Sequence, residues 1–369
     1  MPVAMVVVLT ALKLYWITPA IYPLPSRWCN TLDIHALIKI IQRDKPGMLN
    51  AGPVDATPLT GGVSCEIFLL DDGEHRLVLK RALEKLNVKD DWYADVGRNR
   101  TEQQYLRYVA DFLPDAVPRV LHSDDANGFF CMEMVEGGLQ NWKQALLAGH
   151  YQMGVAQQAG RILGTIHARS FKDASLAGQF ANHANFHALR LEPYLITTGK
   201  RHPSLQKYFE VAVERIAASR CCLIHGDFSP KNLLVSDSRF VVLDCEVACF
   251  GDPVFDLAFL LNHFFLKALR KPEDALAILA LASAVWACYQ RAAGPVVDAD
   301  FEHRLTGLLP LLMLARVDGK SPVEYLGKPQ QALIRTFVAE LLPAPPKSLS
   351  GLIATWTKTL EEESCCENS

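Results

Sequence analysis

The sequence lacks an excess of charge of either sign, since its 369 residues carry 37 Lys and Arg against 40 Asp and Glu. A nucleic-acid-binding surface usually shows a basic excess, so no nucleic-acid partner is expected. Apolar residues, in contrast, are not scarce: they form 50% of the chain and exclude a disordered protein. We therefore expect a globular protein of about two domains, at roughly 100–200 residues each.

The amino terminus lacks an apolar run long enough for a membrane span. Residues 1–12 are almost wholly apolar, but Lys13 interrupts them, and a span needs about 20 such residues. No Lys or Arg precedes the run, as a signal peptide would require. We expect residues 1–30 to form an irregular extension, with a weak membrane anchor as the alternative and no other membrane association.

The ten cysteines lack the spacing of a disulfide framework or a zinc site. A disulfide-stabilised chain would be smaller and denser in cysteine. Cys245 and Cys249 are four residues apart, but no second Cys or His pair at zinc spacing accompanies them. We expect reduced thiols in the protein interior and a cytoplasmic location.

Residues 31–136 are predicted to form a small antiparallel sheet with helices. The apolar spacing of residues 33–42 indicates a short helix. CEIFLL and HRLVLK flank an Asp-Gly turn at Asp72-Gly73, which predicts a hairpin. A helical pattern follows over 98–112, and a second pair of strands is predicted within 118–135.

Residues 137–345 are predicted to be mainly helical, after a break at Gly137-Gly138. Asp252-Pro253 is a strong helix start, because Asp accepts from free N–H groups and Pro suits the first helical position. We expect helices at 152–171, 204–218 and 254–269, further helices to about residue 342, and short strands at 221–224, 232–235 and 240–244. Residues 346–369, which end in LEEESCCENS, are predicted to be a flexible tail. The fold class is α+β.

Polar residues cluster where the short strands end. Asp227 lies on the loop after the first of them, and Asn232 begins the next. Asp244 ends the third, and Glu246 lies two residues later, where an extended chain points it to the same side. Hard oxygen ligands of this kind suit Mg²⁺.

These residues form a combined pattern that resembles the aminoglycoside phosphotransferase/choline kinase family. The pattern is H-G-D-x-x-x-x-N over 225–232, then D-x-E over 244–246, then GDPVFDLA over 251–258. The resemblance covers roughly residues 50–345. It implies a protein-kinase-like, two-lobed fold with a small sheet-containing N-lobe and a larger, mainly helical C-lobe. It also implies ATP, Mg²⁺ and a small-molecule hydroxyl acceptor as the ligands.

The resemblance also assigns residues in the amino-terminal half. Lys80 corresponds to the kinase lysine that binds the α- and β-phosphates, and Glu102 to its ion-pair partner. Residues 59–64 occupy the place of the phosphate-covering loop, although no complete G-x-G-x-x-G is present. Glu133 and Val135 lie where the family binds adenine through the backbone. The cofactor-binding residues expected on this basis are Lys80, Glu102, Gly61, Gly62, Ser64, Glu133 and Val135.

In the carboxyl-terminal half the resemblance makes Asp227 the catalytic base, which accepts or orients the proton of the acceptor hydroxyl. Asn232 and Asp244 would hold Mg²⁺, with Glu246 as a further direct or water-mediated ligand. His225 and Asp256 are expected to be structural, with Asp256 bracing loop N–H groups. His167 is expected in the core or at a cleft edge. Arg316 could equally line the acceptor pocket or cap a helix.

The residues also bear on which acceptor the protein would use. A protein kinase is disfavoured, because residues 245–251 leave no room for a long activation segment. Residues 168–220 carry eight Lys and Arg against four Asp and Glu, which disfavours a polycationic aminoglycoside and favours a neutral or anionic acceptor. The D-x-E pattern also resembles methylthioribose kinases, which phosphorylate a sugar hydroxyl. We predict a kinase for a sugar or amino-alcohol hydroxyl, with an aminoglycoside kinase or a non-catalytic nucleotide-binding regulator as alternatives.

Overall fold

The computed structural model describes residues 33–59, 65–83, 95 and 97–367, with side chains described up to residue 363. The chain divides into two compact units, Met1–Gln140 and Asn141–Ser369. The predicted boundary, between residues 136 and 137, lies four residues before this division. The predicted extension, residues 1–30, lies outside the described residues.

The first unit is built on a five-stranded antiparallel sheet in the order β1-β2-β3-β5-β4. Its helices and strands are α1 (Ile34–Asp44), β1 (Asp55–Pro58), β2 (Cys65–Asp71), β3 (Arg76–Ala82), α2 (Arg98–Ala110), β4 (Val120–Asp124) and β5 (Phe129–Glu133). A two-residue strand, β6 (Gln140–Asn141), spans the division and belongs to a second sheet. Asp33 caps α1 by accepting from the backbone of Ala36 at 2.8 Å. The predicted helices and hairpins of this unit are confirmed.

The core of the first unit lies between α1 and one face of the sheet. Leu37, Ile38 and Ile41 recur on one side of α1 and are buried against Leu79 and Phe129 of the sheet. This is the packing that an apolar stripe at helical spacing predicts. β3 is a central strand, so Lys80 pairs with Ile67 on one side and with Phe130 on the other.

The second unit is mainly helical, as the sequence predicts. Its first helices are α3 (Trp142–Leu147), α4 (Met153–Arg169), α5 (Ala174–Gln179), α6 (His183–Phe186), a π-helix (His187–Ile196), α7 (Thr197–Arg201) and α8 (Gln206–Ala218). The short strands follow as β7 (Cys222–Ile224), β8 (Leu233–Val235), β9 (Phe240–Val242) and β10 (Cys249–Gly251). The last helices are α9 (Pro253–Arg270), α10 (Ala275–Ala293), α11 (Phe301–Asp318), α12 (Lys328–Leu341) and α13 (Leu349–Glu367).

Two helices of this unit cross with their backbones in near contact. A Cβ at Gly160 of α4 would lie 2.2 Å from the carbonyl oxygen of Val285 in α10, and one at Gly164 would lie 2.8 Å from that of Tyr289. Only glycine allows so close an approach. Residues 272–296, which contain α10, are the one described helical stretch long and apolar enough to cross a membrane, with a mean hydropathy of 1.3. A core helix passes the same test, and α10 packs against α4.

The short strands form two antiparallel pairs that support the loops between them. β7 pairs with β10, with Ile224 opposite Cys249. β8 pairs with β9, with Leu233 opposite Val242. The chain therefore leaves β7 at residue 225 and returns at β8, so the loop is held at both ends. The seven cysteines with described side chains are free thiols.

The predicted flexible tail at 346–369 is wrong for most of its length, because residues 349–367 form α13. Leu349, Leu352, Trp356 and Leu360 follow helical spacing and are buried. The indole N–H of Trp356 donates to the carbonyl of Phe265 at 3.1 Å, and its ring packs on Phe337 with centroids 4.5 Å apart. The prediction of a flexible tail was based on the acidic and polar composition of the last ten residues, which does not take account of the apolar positions at helical spacing before them.

Candidate active site

Asp256 fixes the backbone of the loop that begins after β7. It lies in the first turn of α9, where its Oδ2 accepts from the His225 N–H at 2.6 Å and its Oδ1 from the Gly226 N–H at 2.8 Å. Gly226 has a φ of +76°, and a Cβ there would lie 2.9 Å from the carbonyl of Val247. The loop conformation therefore requires glycine, and the predicted bracing role of Asp256 is confirmed.

A buried chain of hydrogen bonds holds Asp256 in turn. His167 Nε2 lies 3.3 Å from Asp256 Oδ2, and its Nδ1 lies 2.8 Å from the Tyr289 hydroxyl. His167 is fully buried, so it is a satisfied core histidine rather than a ligand. Asp252 caps α9 by accepting from the Val254 N–H at 3.0 Å, as predicted.

His225 is a structural residue, as predicted. Its Nδ1 accepts from the Asp227 N–H at 3.1 Å, and its Nε2 lies 3.1 Å from the Leu243 carbonyl. These two contacts fit one neutral tautomer, with the proton on Nε2. Burial lowers the pKa of His225, which keeps the ring neutral. The imidazole thus joins the loop to the segment after β9.

Asp227 is a buried carboxylate that faces two cations. Its Oδ2 lies 2.7 Å from Arg190 Nη2 and 3.0 Å from Lys231 Nζ, and Ser229 Oγ donates to Oδ1 at 3.4 Å. Burial alone would raise the pKa of Asp227, but Arg190 and Lys231 outweigh it, so the pKa lies below its usual value. Asp227 is therefore ionised at neutral pH and able to accept a hydrogen bond from a hydroxyl.

Arg190, which lies 2.7 Å from Asp227 Oδ2, was not predicted from the sequence. Arg190 lies on the π-helix, donates from Nε to the Gly226 carbonyl at 2.6 Å, and stacks on the Phe259 ring at 5.8 Å. Burial would lower the pKa of Arg190, but Asp227 raises it more, with smaller contributions from Tyr194, Glu246 and Asp244. A π-helix is rare and often marks a functional site. No fixed spacing links Arg190 to the loop motif, so the only signal was a lone arginine in an apolar segment.

The predicted metal ligands lie around the same loop. Asn232 donates from Nδ2 to the Asp227 carbonyl at 3.0 Å, and its own carbonyl accepts from the Leu243 N–H at 2.9 Å. The second bond brings the end of β9, and thus Asp244, beside the loop. The charge of Asp244 raises the pKa of Asp227, and Glu246 acts on Arg190, so both carboxylates lie near the site.

The donor set fits a hard divalent cation. Asn232 Nδ2 is engaged, which leaves the amide oxygen of that side chain as a ligand, and Asp244 and Glu246 add carboxylate oxygens. Asp244 has a φ of +62°, a strained conformation for a side-chain-bearing residue that is characteristic of functional sites. Within the described ranges, no group of three His, Cys, Asp or Glu side chains is spaced for a metal; the predicted set contains only two such residues and an amide.

The first unit contains the predicted ion pair. Lys80 Nζ on β3 lies 2.8 Å from Glu102 Oε1 and 2.7 Å from Oε2 on α2, and each residue is only 2% exposed. Glu133 ends β5, where its N–H donates to the Arg119 carbonyl at 2.9 Å, and Val135 follows on the connection to the second unit. Gly61, Gly62 and Ser64 lie outside the described residues. The nucleotide roles of all these residues stay predictions.

The chain is similar to known proteins in sequence and in fold. A methylthioribose kinase of Bacillus cereus is 26% identical over 243 residues, which are 58% of this chain and 61% of that protein. The chain thus spans less than two thirds of the length of these relatives. An amicoumacin kinase structure in complex with AMP-PNP, Ca²⁺ and Ami is 14% identical, covers 87% of this chain and 98% of its own, and has a TM-score of 0.51.

A choline kinase of Cryptosporidium parvum is 13% identical, with 91% of this chain and 97% of that chain covered and a TM-score of 0.48.

The amicoumacin kinase structure shows that the α+β, kinase-like fold is present here. The profile of the phosphotransferase enzyme family (APH) matches residues 55–294, which is more than half of the sequence. The chain therefore belongs to the APH phosphotransferase family.

Proposed function

We propose that this protein transfers the γ-phosphoryl group of ATP to a hydroxyl group of a small molecule. The observation that carries the proposal is Asp227, a buried and ionised carboxylate on a loop fixed by Asp256 and Asn232. In phosphoryl transfer the protein mainly positions the reactants and stabilises charge. Asp227 would accept the hydrogen bond of the acceptor hydroxyl and orient its oxygen toward the phosphorus atom.

The other site residues would bind the nucleotide. Lys80, held by Glu102, would contact the α- and β-phosphates. Asn232, Asp244 and Glu246 would hold Mg²⁺, which supplies neutralising charge at the phosphates when it is bound. The amicoumacin kinase neighbour was solved with AMP-PNP and Ca²⁺, which supports a nucleotide and a divalent cation as ligands of this family.

A sugar hydroxyl is the best-supported acceptor among those predicted. The methylthioribose kinase relatives support a sugar, and the basic excess of residues 168–220 disfavours an aminoglycoside. A regulator without turnover is disfavoured, because Lys80, Asp227, Asn232 and Asp244 are all present.

The direct test is to incubate the protein with labelled ATP, Mg²⁺ and a metabolite extract, and to identify the labelled product. The Asp227→Asn variant removes the negative charge and leaves the shape, so we expect turnover to fall by about 10²–10⁴-fold with nucleotide binding retained. Asp237→Asn, at an exposed position, is the matched control and should keep full activity. Near-normal turnover in Asp227→Asn, or no labelled product from the unaltered protein, would refute the proposal.

A further inference from the structure

A row of side chains extends along α9 away from Asp227. Phe259, His263 and Lys267 are four residues apart and lie on one side of that helix. Phe259 lies under Arg190, at 5.8 Å from its guanidinium carbon, and contacts the His263 ring with centroids 6.1 Å apart. Lys267 continues the row one turn further. The helix therefore links the Asp227 site to a second polar group.

Lys267 is a buried cation without an anion of its own. It is 2% exposed, and among the described residues its Nζ has no hydrogen-bond partner. It lies 5.2 Å from the centre of the Tyr325 ring. Glu324, the carboxylate that acts on it, is paired instead with Lys143 at 2.5 Å. A buried ammonium group without a partner is unfavourable, so an anion beside Lys267 would stabilise its charged form.

Arg316 lies over the Tyr194 ring, at 5.7 Å from its centre, and acts on Lys267. Its Nη1 donates to the Tyr194 hydroxyl at 3.3 Å and to Ser321 Oγ at 2.9 Å, while its buried Nε has no acceptor within the described part of the chain. Tyr194 lies four residues after Arg190 on the π-helix. Arg316 thus contacts the π-helix through Tyr194 and the chain after α11 through Ser321, so both roles predicted for it stay open.

Several cations act on the two rings that adjoin this row. The pKa of His263 lies well below its usual value because the ring is buried and because Lys267, Arg316, Lys143 and Lys231 all act on it. Arg190 and Arg316 both act on Tyr194. The carboxylates of this region are already matched, since Asp227 is paired with Arg190 and Lys231, and Glu324 with Lys143.

We propose that Lys267 and Arg316 form a subsite for an anionic group of the acceptor, a carboxylate or a phosphate ester, while the hydroxyl of the same acceptor lies at Asp227. This inference rests on the proposed phosphotransferase function and names its substrate class: hydroxy acids or sugar phosphates. The subsite rejects polycationic and cationic acceptors by repulsion, and a neutral sugar leaves Lys267 unpaired.

Lys267 lies along α9 beyond the residues that adjoin Asp227. Eight residues separate Phe259 from Lys267, a rise of about 12 Å in an α-helix. Helical side chains lean toward the amino terminus of the helix, so the side chain of Lys267 extends back along α9 toward His263 and Phe259. The subsite therefore requires an acceptor whose anionic group is separated from its reacting hydroxyl.

Anion binding tests the subsite without any turnover. Inorganic phosphate and sodium acetate are titrated calorimetrically into the protein saturated with ADP and Mg²⁺, so that the nucleotide site is filled. We expect at least one of the two probes to bind, and to bind at least tenfold more weakly to Lys267→Met. Lys358→Met, at a position whose side chain is 76% exposed, makes the same charge change and should leave binding unaltered. Lys267→Met removes an unpartnered buried charge, so it should fold.

The response to the two probes distinguishes a phosphate from a carboxylate subsite. Equal binding to the unaltered protein and to Lys267→Met, or no binding of either probe at millimolar concentration, overturns the subsite.

A second experiment identifies the acceptor class. A metabolite extract is separated by ion exchange into anionic, neutral and cationic fractions, and each is incubated with labelled ATP. Labelled product from the anionic fraction, lost in Lys267→Met, supports the proposal, whereas product only from a neutral or cationic fraction overturns it. If no fraction yields product while anion binding still depends on Lys267, the phosphotransferase function fails and the anion site stands.

Discussion

At the scale of single residues, two buried charges have opposite surroundings. Asp227 is matched by Arg190 and Lys231 and has its carbonyl fixed by Asn232. Lys267 is equally buried but faces mainly other cations. The first arrangement keeps a carboxylate ionised and oriented, whereas the second favours the neutral amine over the ammonium form unless an anion lies beside it.

We expect Asp256→Asn to lower both stability and turnover. The amide replaces one acceptor oxygen with an N–H₂ donor, so either the His225 or the Gly226 N–H loses its acceptor. An unsatisfied buried donor costs about 1–3 kcal/mol, and Asp227 follows directly on the disturbed loop. Urea unfolding and the rate of product formation measure the two effects. Asp173→Asn, at the exposed cap of α5, should change neither, since Asn caps as well as Asp; equal effects of the two substitutions would contradict this role.

Lys267 should make stability depend on pH in a predictable direction. Burial, with Lys143 and Arg316 nearby, lowers the pKa of Lys267 from 10.5 to about 7 in the folded protein. Between these two pKa values the unfolded chain binds more protons than the folded protein. The contribution of Lys267 to the free energy of unfolding therefore rises as the pH increases from about 7 to about 10, and this gain is absent below pH 7.

Thermal unfolding of Lys267→Met should therefore occur at higher temperature than that of the unaltered protein at pH 6. The difference should shrink as the pH rises toward 10. A difference that is constant across this range, or that grows with pH, is incompatible with a buried and unpaired ammonium group.

At the scale of elements, the sequence predicted the parts that depend on local spacing. The helices, the hairpins of the first unit and the short strands around residues 222–242 follow from periodicity and turn residues. α13 was missed because its apolar positions are dispersed among polar ones and precede an acidic end. The π-helix was missed because no sequence period distinguishes it from an α-helix.

The crossing of α4 and α10 offers a test with an internal control. Gly160→Ala would place a methyl carbon 2.2 Å from the carbonyl oxygen of Val285. We therefore expect the free energy of unfolding to fall by about 1–3 kcal/mol or more. Gly154→Ala lies on the same helix with nothing within 4 Å, so it should be neutral or stabilising by up to about 1 kcal/mol. Denaturant unfolding of both variants gives the comparison, and similar stabilities would show that the helices do not cross this closely.

At the scale of the whole molecule, the predicted roles are distributed over both units. The residues of the loop motif were predictable because their spacing in the sequence is fixed. Arg190 was not, because it lies on a separate element and only folding brings it to Asp227. The acceptor side of the site is therefore the part that sequence motifs describe least.

The pair Lys80 and Glu102 allows folding and function to be separated. Lys80→Met leaves Glu102 buried without its cation, so we expect a loss of about 3–5 kcal/mol. The double variant Lys80→Met/Glu102→Met removes both charges and should recover most of that stability. If the first unit binds the phosphates as proposed, the double variant stays inactive although the Asp227 loop is intact. Activity close to that of the unaltered protein in the double variant would assign the pair a purely structural role.

The π-helix gives this protein a route to new acceptors that leaves its motifs untouched. Each residue of a regular helix advances by about 100° around the axis. Removing one residue between Arg190 and Tyr194 would return the segment toward an ordinary helix and rotate the two side chains relative to each other. A single insertion or deletion in this stretch would thus change the direction of both the Arg190 and the Tyr194 side chains. Substitutions in the loop that carries Asp227 cannot produce that change.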